Sequence, residues 1–235
     1  MAFVWTSTVT PAQATTGTSA TIAPSLSPNR LGAKGALTLT IRYAGGEFGV
    51  PAPVRRSILR FPAGLRLEIP KLRSCTSARL EADGPSGCPR QSQIGSGRAL
   101  VQSHTGSETI SENVVLQAFL GPPQNLQPTV EILAHGSTPI DQRVIINGIV
   151  RPARPPYGEE LAMSLPATPT LPSQPDASVV TFSLTVGMAK RYRWHDANTI
   201  RVPSRCPAGG FPFAAEFTYA DGSGSTAQTT APCPL

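Results

Sequence analysis

The chain has 235 residues, 40% of them apolar and only 14% charged, with 25 prolines, 21 glycines and a formal net charge of +6. Charge well below the roughly 25% of an average soluble domain, combined with frequent Pro and Gly, argues against a helical protein and for strands joined by many turns. Pro and Gly together stay under the roughly 25–30% that marks low-complexity disorder, and no apolar run reaches the ~18 residues of a membrane-spanning helix.

The first residues, MAFVWTSTVTPAQATTGTSA, place a short apolar piece, Ala2–Trp5, ahead of Ala12-Gln13-Ala14. That triplet has the small-x-small form of a signal-peptidase site. Residues 1–14 are therefore read as a signal-peptide remnant that begins upstream of Met1, with the mature protein starting near Thr15. Beyond it the apolar residues recur every second position, the period of a half-buried strand. Three runs carry this pattern most plainly. Leu37, Leu39, Ile41 and Tyr43 alternate with Thr38, Thr40 and Arg42; Val180, Phe182, Leu184 and Val186 alternate with Val179, Thr181, Ser183 and Thr185; Phe211, Phe213, Ala215, Phe217 and Tyr219 alternate with Pro212, Ala214, Glu216 and Thr218.

Further strands are predicted at 21–26, 57–61, 65–69, 78–82, 98–104, 112–120, 129–134, 143–150, 160–165, 199–202 and 225–231. Residues 121–128 are expected to be a longish hairpin loop. Asn147-Gly148 interrupts an apolar run and reads as a bulge or a turn. The stretch 166–175, PATPTLPSQP, holds neither helix nor central strand. It either divides two subdomains or forms the long crossover of a Greek key. The expected fold is all-β: an antiparallel, Greek-key-like sandwich of about 11–14 strands over residues 15–235, with little or no helix.

Four cysteines, Cys75, Cys88, Cys206 and Cys233, allow three disulfide pairings. Pairing between sequence neighbours is favoured. Cys75 and Cys88 flank a turn, Asp83-Gly84-Pro85-Ser86-Gly87, and a hairpin turning at Asp221-Gly222 brings Cys206 to Cys233. A zinc site fits less well, because there is no C-x-x-C pair and no His beside any Cys.

No catalytic motif stands out. The three histidines, His104, His135 and His195, lie in no recognisable hydrolase pattern, and no G-x-S-x-G elbow occurs. His104 and His135 read as polar residues at strand ends. Glycosidase chemistry needs two carboxylates facing each other across a groove; Glu131 and Glu216 are the best-placed pair, although alternation sets Glu216 opposite the aromatic face of its strand. Basic and aromatic residues interleave at Lys190, Arg191, Tyr192, Arg193, Trp194 and His195, the composition of a loop for anionic polymers. In an exported protein an anionic cell-envelope polymer is a better match than nucleic acid. A second basic group, Arg55, Arg56, Arg60, Arg66, Lys71, Arg73 and Arg79, reads as outward-facing sheet charge. No metal, cofactor or catalytic residue is assigned.

The block Cys75…Cys88-Pro89-Arg90-Gln91-Ser92-Gln93-Ile94-Gly95-Ser96-Gly97-Arg98-Ala99, with the closing Cys206-Pro207-Ala208-Gly209-Gly210-Phe211-Pro212-Phe213…Cys233-Pro234, resembles uncharacterised exported proteins of high-GC actinobacteria. The resemblance implies export, disulfides and β structure, and brings no activity. Three functions are weighed. The first is a secreted, non-enzymatic binding or structural module at the cell envelope. The second is a secreted hydrolase of polysaccharide using paired carboxylates. The third is a carrier of a small apolar ligand, which requires a cavity between the layers.

Overall fold

Every-other-residue burial drives the architecture, because a strand with one apolar face is stable only when that face meets another. The computed structural model describes residues 17–68, 73–137, 141–168, 176–187 and 200–234. Thirteen strands follow in order: β1 Ser19–Ser27, β2 Lys34–Ala44, β3 Val54–Pro62, β4 Arg66–Leu67, β5 Gln93–Thr105, β6 Glu108–Gln124, β7 Gln127–Gly136, β8 Gln142–Pro152, β9 Tyr157–Ser164, β10 Ser178–Val186, β11 Ile200–Arg201, β12 Phe211–Tyr219 and β13 Gly224–Ala231. They form one antiparallel sheet in the order β13-β12-β3-β9-β8-β7-β6-β5-β10-β2-β11-β4, with β1 also paired to β2. The sheet closes over its own core. β1 lies alongside β13 and touches β12, so the two long ends of the strand order come together and cover each other's edges. The chain is thus an all-β sandwich whose layers belong to one continuous ladder.

Strands β5 to β9 form a meander. The chain then returns across it to set β10 beside β5, between β5 and β2, a Greek-key type of connection. Strands on both sides of 166–175 share this sheet and contribute to the same core, in which Leu39, Ile41, Leu116, Ile132, Leu184, Phe211, Phe213 and Phe217 are buried together. Tyr43 meets Phe217 edge to face at 5.1 Å, and Phe61 meets Phe213 at 6.3 Å, geometries that suit the ring quadrupoles.

Both disulfides form between sequence neighbours, Cys75–Cys88 and Cys206–Cys233, with Cα–Cα distances of 5.4 and 5.9 Å. The strand expected at 78–82 is instead a helix, α1, Ser77–Asp83. Thr76 is its N-cap, the Oγ1 accepting from the Arg79 N–H at 3.3 Å. Ala78 and Ala82 are exposed and only Leu80 is buried, so the apparent alternation there follows no sheet face. The expected loop at 121–128 is also shorter. β6 runs to Gln124, β7 starts at Gln127, and Asn125 and Leu126 make a two-residue turn with φ of 49° and 64°, as a type I′ hairpin requires. A register shift between Gly121 and Gln124 accommodates Pro122 and Pro123.

Asn147 and Gly148 neither bulge nor turn: both pair in register within β8, to Glu131 and Val130 on one side and to Ser164 and Met163 on the other. The glycine is there for packing, since a Cβ would sit 2.7 Å from Leu161 Cδ1. Gly97 of β5 has a similar role: a Cβ there would lie 2.0 Å from the Ser183 carbonyl of β10.

Candidate functional site

Register fixes which side chains share the interior of the β5–β8 region. One row across the inner face carries Leu116, Ala134 and Val144; the next carries Ala99, Val114, Gly136 and Gln142; Val101 and Glu112 follow, then Ser103 and Ile110. Successive rows are two residues apart, about 6.7 Å along the strand. Most of these side chains are small. They leave a cavity of about 410 Å³, lined by them together with Pro53, Val54, Arg55, Gln102, Thr105, Ile146, Leu165, Pro166, Thr168, Ala177, Val179 and Phe182. Small-molecule pockets span roughly 300–1,000 Å³, so the volume suits a modest ligand.

Polarity is graded along the cavity. Its deep end is Leu116, Ile146, Ala99 and Phe182. The other end, where β7 has stopped at Gly136 and the β5–β6 hairpin projects beyond it, carries Glu112, Gln142, Ser103 and Thr105. From Leu116 to Ile110 is six residues, on the order of 20 Å of wall. Arg55 reaches this end with its guanidinium paired to Asp176. The Ser103 hydroxyl, on a residue only 9% exposed, has no hydrogen-bond partner among the described residues. Glu112 lies across β7 so closely that a Cβ on Gly136 would be 2.5 Å from its Oε1.

The outer face of the same strands is apolar too. Phe119, Leu133 and Ile145 are covered by Leu80 of α1 and by the Cys75–Cys88 bridge. The Cys75 N–H donates to the Leu120 carbonyl at 2.8 Å, fastening the disulfide loop to β6. Glu131 is sealed under this cover, 3% exposed. The Ser77 hydroxyl lies 3.1 Å from Glu131 Oε2 and 2.9 Å from Asn147 Oδ1. Burial pushes the Glu131 carboxyl above its ordinary range, and the Ser77 hydrogen bond offsets part of that rise.

Glu216 stands elsewhere, on the outer face of β12. Its Oε1 accepts from Arg60 Nη1 at 2.6 Å, and that bond holds its carboxyl below the ordinary range. Arg60 also meets Glu160 at 3.2 Å, and Glu160 meets Arg151 at 2.6 Å, an interstrand ion network on the outer surface. The two acids do not converge. β7 and β12 are separated by β8, β9 and β3, four inter-strand steps or roughly 19 Å, whereas paired glycosidase carboxylates stand about 5–9.5 Å apart. Glu131 is also shut away from substrate.

The histidines sit at strand ends. The Phe48 ring stacks on His104 at 4.2 Å, and His104 Nδ1 lies 3.1 Å from Thr109 Oγ1. His135 Nε2 lies 2.8 Å from Asp141 Oδ1. Lys190, Arg191, Tyr192, Arg193, Trp194 and His195 fall outside the described residues, as do residues 1–14 and Lys71. Their flanks, Gly187 and Ile200, lie beside Gly35 of β2, at the end of β10 away from Val179 and the cavity.

The sequence reading missed the cavity wall. Its signal was side-chain size: the inward positions of β5–β8 include a run of small residues, Ala99, Val101, Val114, Ala134, Gly136 and Val144, where the inward positions of β12 are mostly Phe and Tyr. No protein-family model, no curated protein and no solved structure matches this chain.

Proposed function

We propose that this protein is an exported, non-enzymatic carrier of a small apolar ligand, bound between the layers of its sandwich. The observation that carries the reading is the cavity of about 410 Å³ walled by Val, Ala, Leu, Ile and Phe side chains of β5–β8 and β10. A void of this size with an apolar wall forfeits dispersion contacts that a ligand restores, and its graded polarity orients the occupant. Export is supported by the two disulfides, which persist in oxidising compartments, by the signal-peptidase pattern, and by the resemblance to exported actinobacterial proteins. Binding of an anionic envelope polymer has less support, because it rests on Lys190–His195 alone. The paired-carboxylate reading loses its best pair to the separation of Glu131 and Glu216.

Titration with the neutral fluorophore N-phenyl-1-naphthylamine tests the proposal. A saturable fluorescence increase with one site per chain is expected. Ala134→Phe, which puts a ring into the wall, should abolish it while the melting temperature stays within a few degrees of the parent. No saturable signal from the parent protein, or an undiminished signal from Ala134→Phe, refutes the carrier reading.

A further inference from the structure

We infer that the ligand is a neutral amphiphile, a chain or ring compound ending in a hydroxyl, ester or amide, and not a fatty acid. The inference rests on the carrier reading above and concerns the polar end of the same cavity. A carboxylate drawn into a low-dielectric site must be paired or hydrogen-bonded as an ion, and otherwise gives up its charge or stays out. Arg55 is the one base among the described lining residues, and Asp176 already holds its guanidinium. The other charged side chain of the described lining is an acid, Glu112.

Neutral hydrogen-bonding groups, by contrast, are plentiful there. Gln142, Thr105 and Thr168 line the polar end, and the Ser103 hydroxyl has no partner among the described residues. An uncharged oxygen at this level gains hydrogen bonds, and the apolar remainder occupies the space down to Leu116. A cavity built to hydrogen-bond a neutral head discriminates by leaving a wrong head unsatisfied.

Competition among twelve-carbon chains against bound N-phenyl-1-naphthylamine at pH 8 tests this. Dodecanol should displace the probe at a concentration at least tenfold below dodecanoate. Thr105→Arg, which adds a cation at the polar end, should close that gap. Ser103→Ala should weaken dodecanol several-fold more than it weakens the probe itself. Equal or tighter binding of dodecanoate by the parent protein overturns the inference, as does a gap unaltered in Thr105→Arg or dodecanol affinity unaltered in Ser103→Ala. If the probe itself fails to bind, the carrier reading has failed; if it binds and dodecanoate competes as well as dodecanol, only the choice of ligand class has.

Discussion

Leu133 and Ala134 are neighbours in β7 and face opposite ways, and so do Ile145 and Val144 in β8. On the outer side Leu133 and Ile145 join Phe119 under α1 and a disulfide, and the patch is closed. On the inner side Ala134 and Val144 face a cavity. The same strands therefore carry two apolar faces with opposite packing. Both faces are hydrophobic, so hydrophobicity does not distinguish a structural face from a binding one; side-chain volume and the presence of a cover do. The comparison predicts that equal chemical changes on the two sides have unequal consequences.

The largest expected effect is on the closed side. Leu133→Ala removes a side chain that is 2% exposed and should cost about 2–5 kcal/mol in urea unfolding. A loss under ~1 kcal/mol would mean that the helix cover is loosely seated. Next comes the clasp of that cover. Replacing Cys75 and Cys88 together with Ala releases the chain constraint over a 13-residue separation and should cost about 3 kcal/mol, with hydrogen exchange accelerating first at α1. On the open side Val144→Leu adds a methylene where space exists. Inserting bulk into a filled core typically costs about 1–3 kcal/mol; here stability should change by less than ~1 kcal/mol, while affinity for the fluorescent probe falls. A cost typical of a filled core would show that the inner side is as tightly packed as the outer.

Much of the fold was legible because alternation dominates in β2 and β12, each with a pattern that leaves one register possible; in β10 it holds from Thr181 onward, while a register shift between Val179 and Thr181 puts Val179, expected on the opposite face, on the cavity side with Phe182. The sequence-neighbour disulfides were legible for a similar local reason, since each pair flanks its own turn. The failures came where local signals compete. Ala78, Leu80 and Ala82 imitate a strand, and the Thr76 cap outweighs them. Asn147-Gly148 carries turn residues, yet cross-strand pairing on both sides holds it extended, with Gly148 giving room to Leu161 and Met163. The cavity was illegible for a different reason. It arises from the combined volumes of side chains distant in sequence, from Val54 to Phe182, and no single segment records it.

The smallest expected effect concerns the one carboxyl sealed on the closed side. Burial raises the folded-state pKa of Glu131 above its unfolded value, so the folded protein holds this proton more tightly than the unfolded chain does. Its favourable contribution is complete below the unfolded pKa and is lost as pH rises through the raised folded value. Glu131→Gln keeps the shape and the contact with Ser77 but does not titrate. The variant should match the parent near pH 4 and exceed it by on the order of 1 kcal/mol at pH 8, about 2–4 °C in Tm for a chain of this size. Glu216 runs the other way: its depressed pKa stabilises the fold above its unfolded value, and that contribution is lost as pH falls through the folded value. Because Glu216 is present in both proteins, it cancels from the difference. Melting curves of parent and variant that stay parallel from pH 4 to pH 8 would mean that Glu131 is not sealed from water, and the contrast between a closed outer face and an open inner one would lose its electrostatic half.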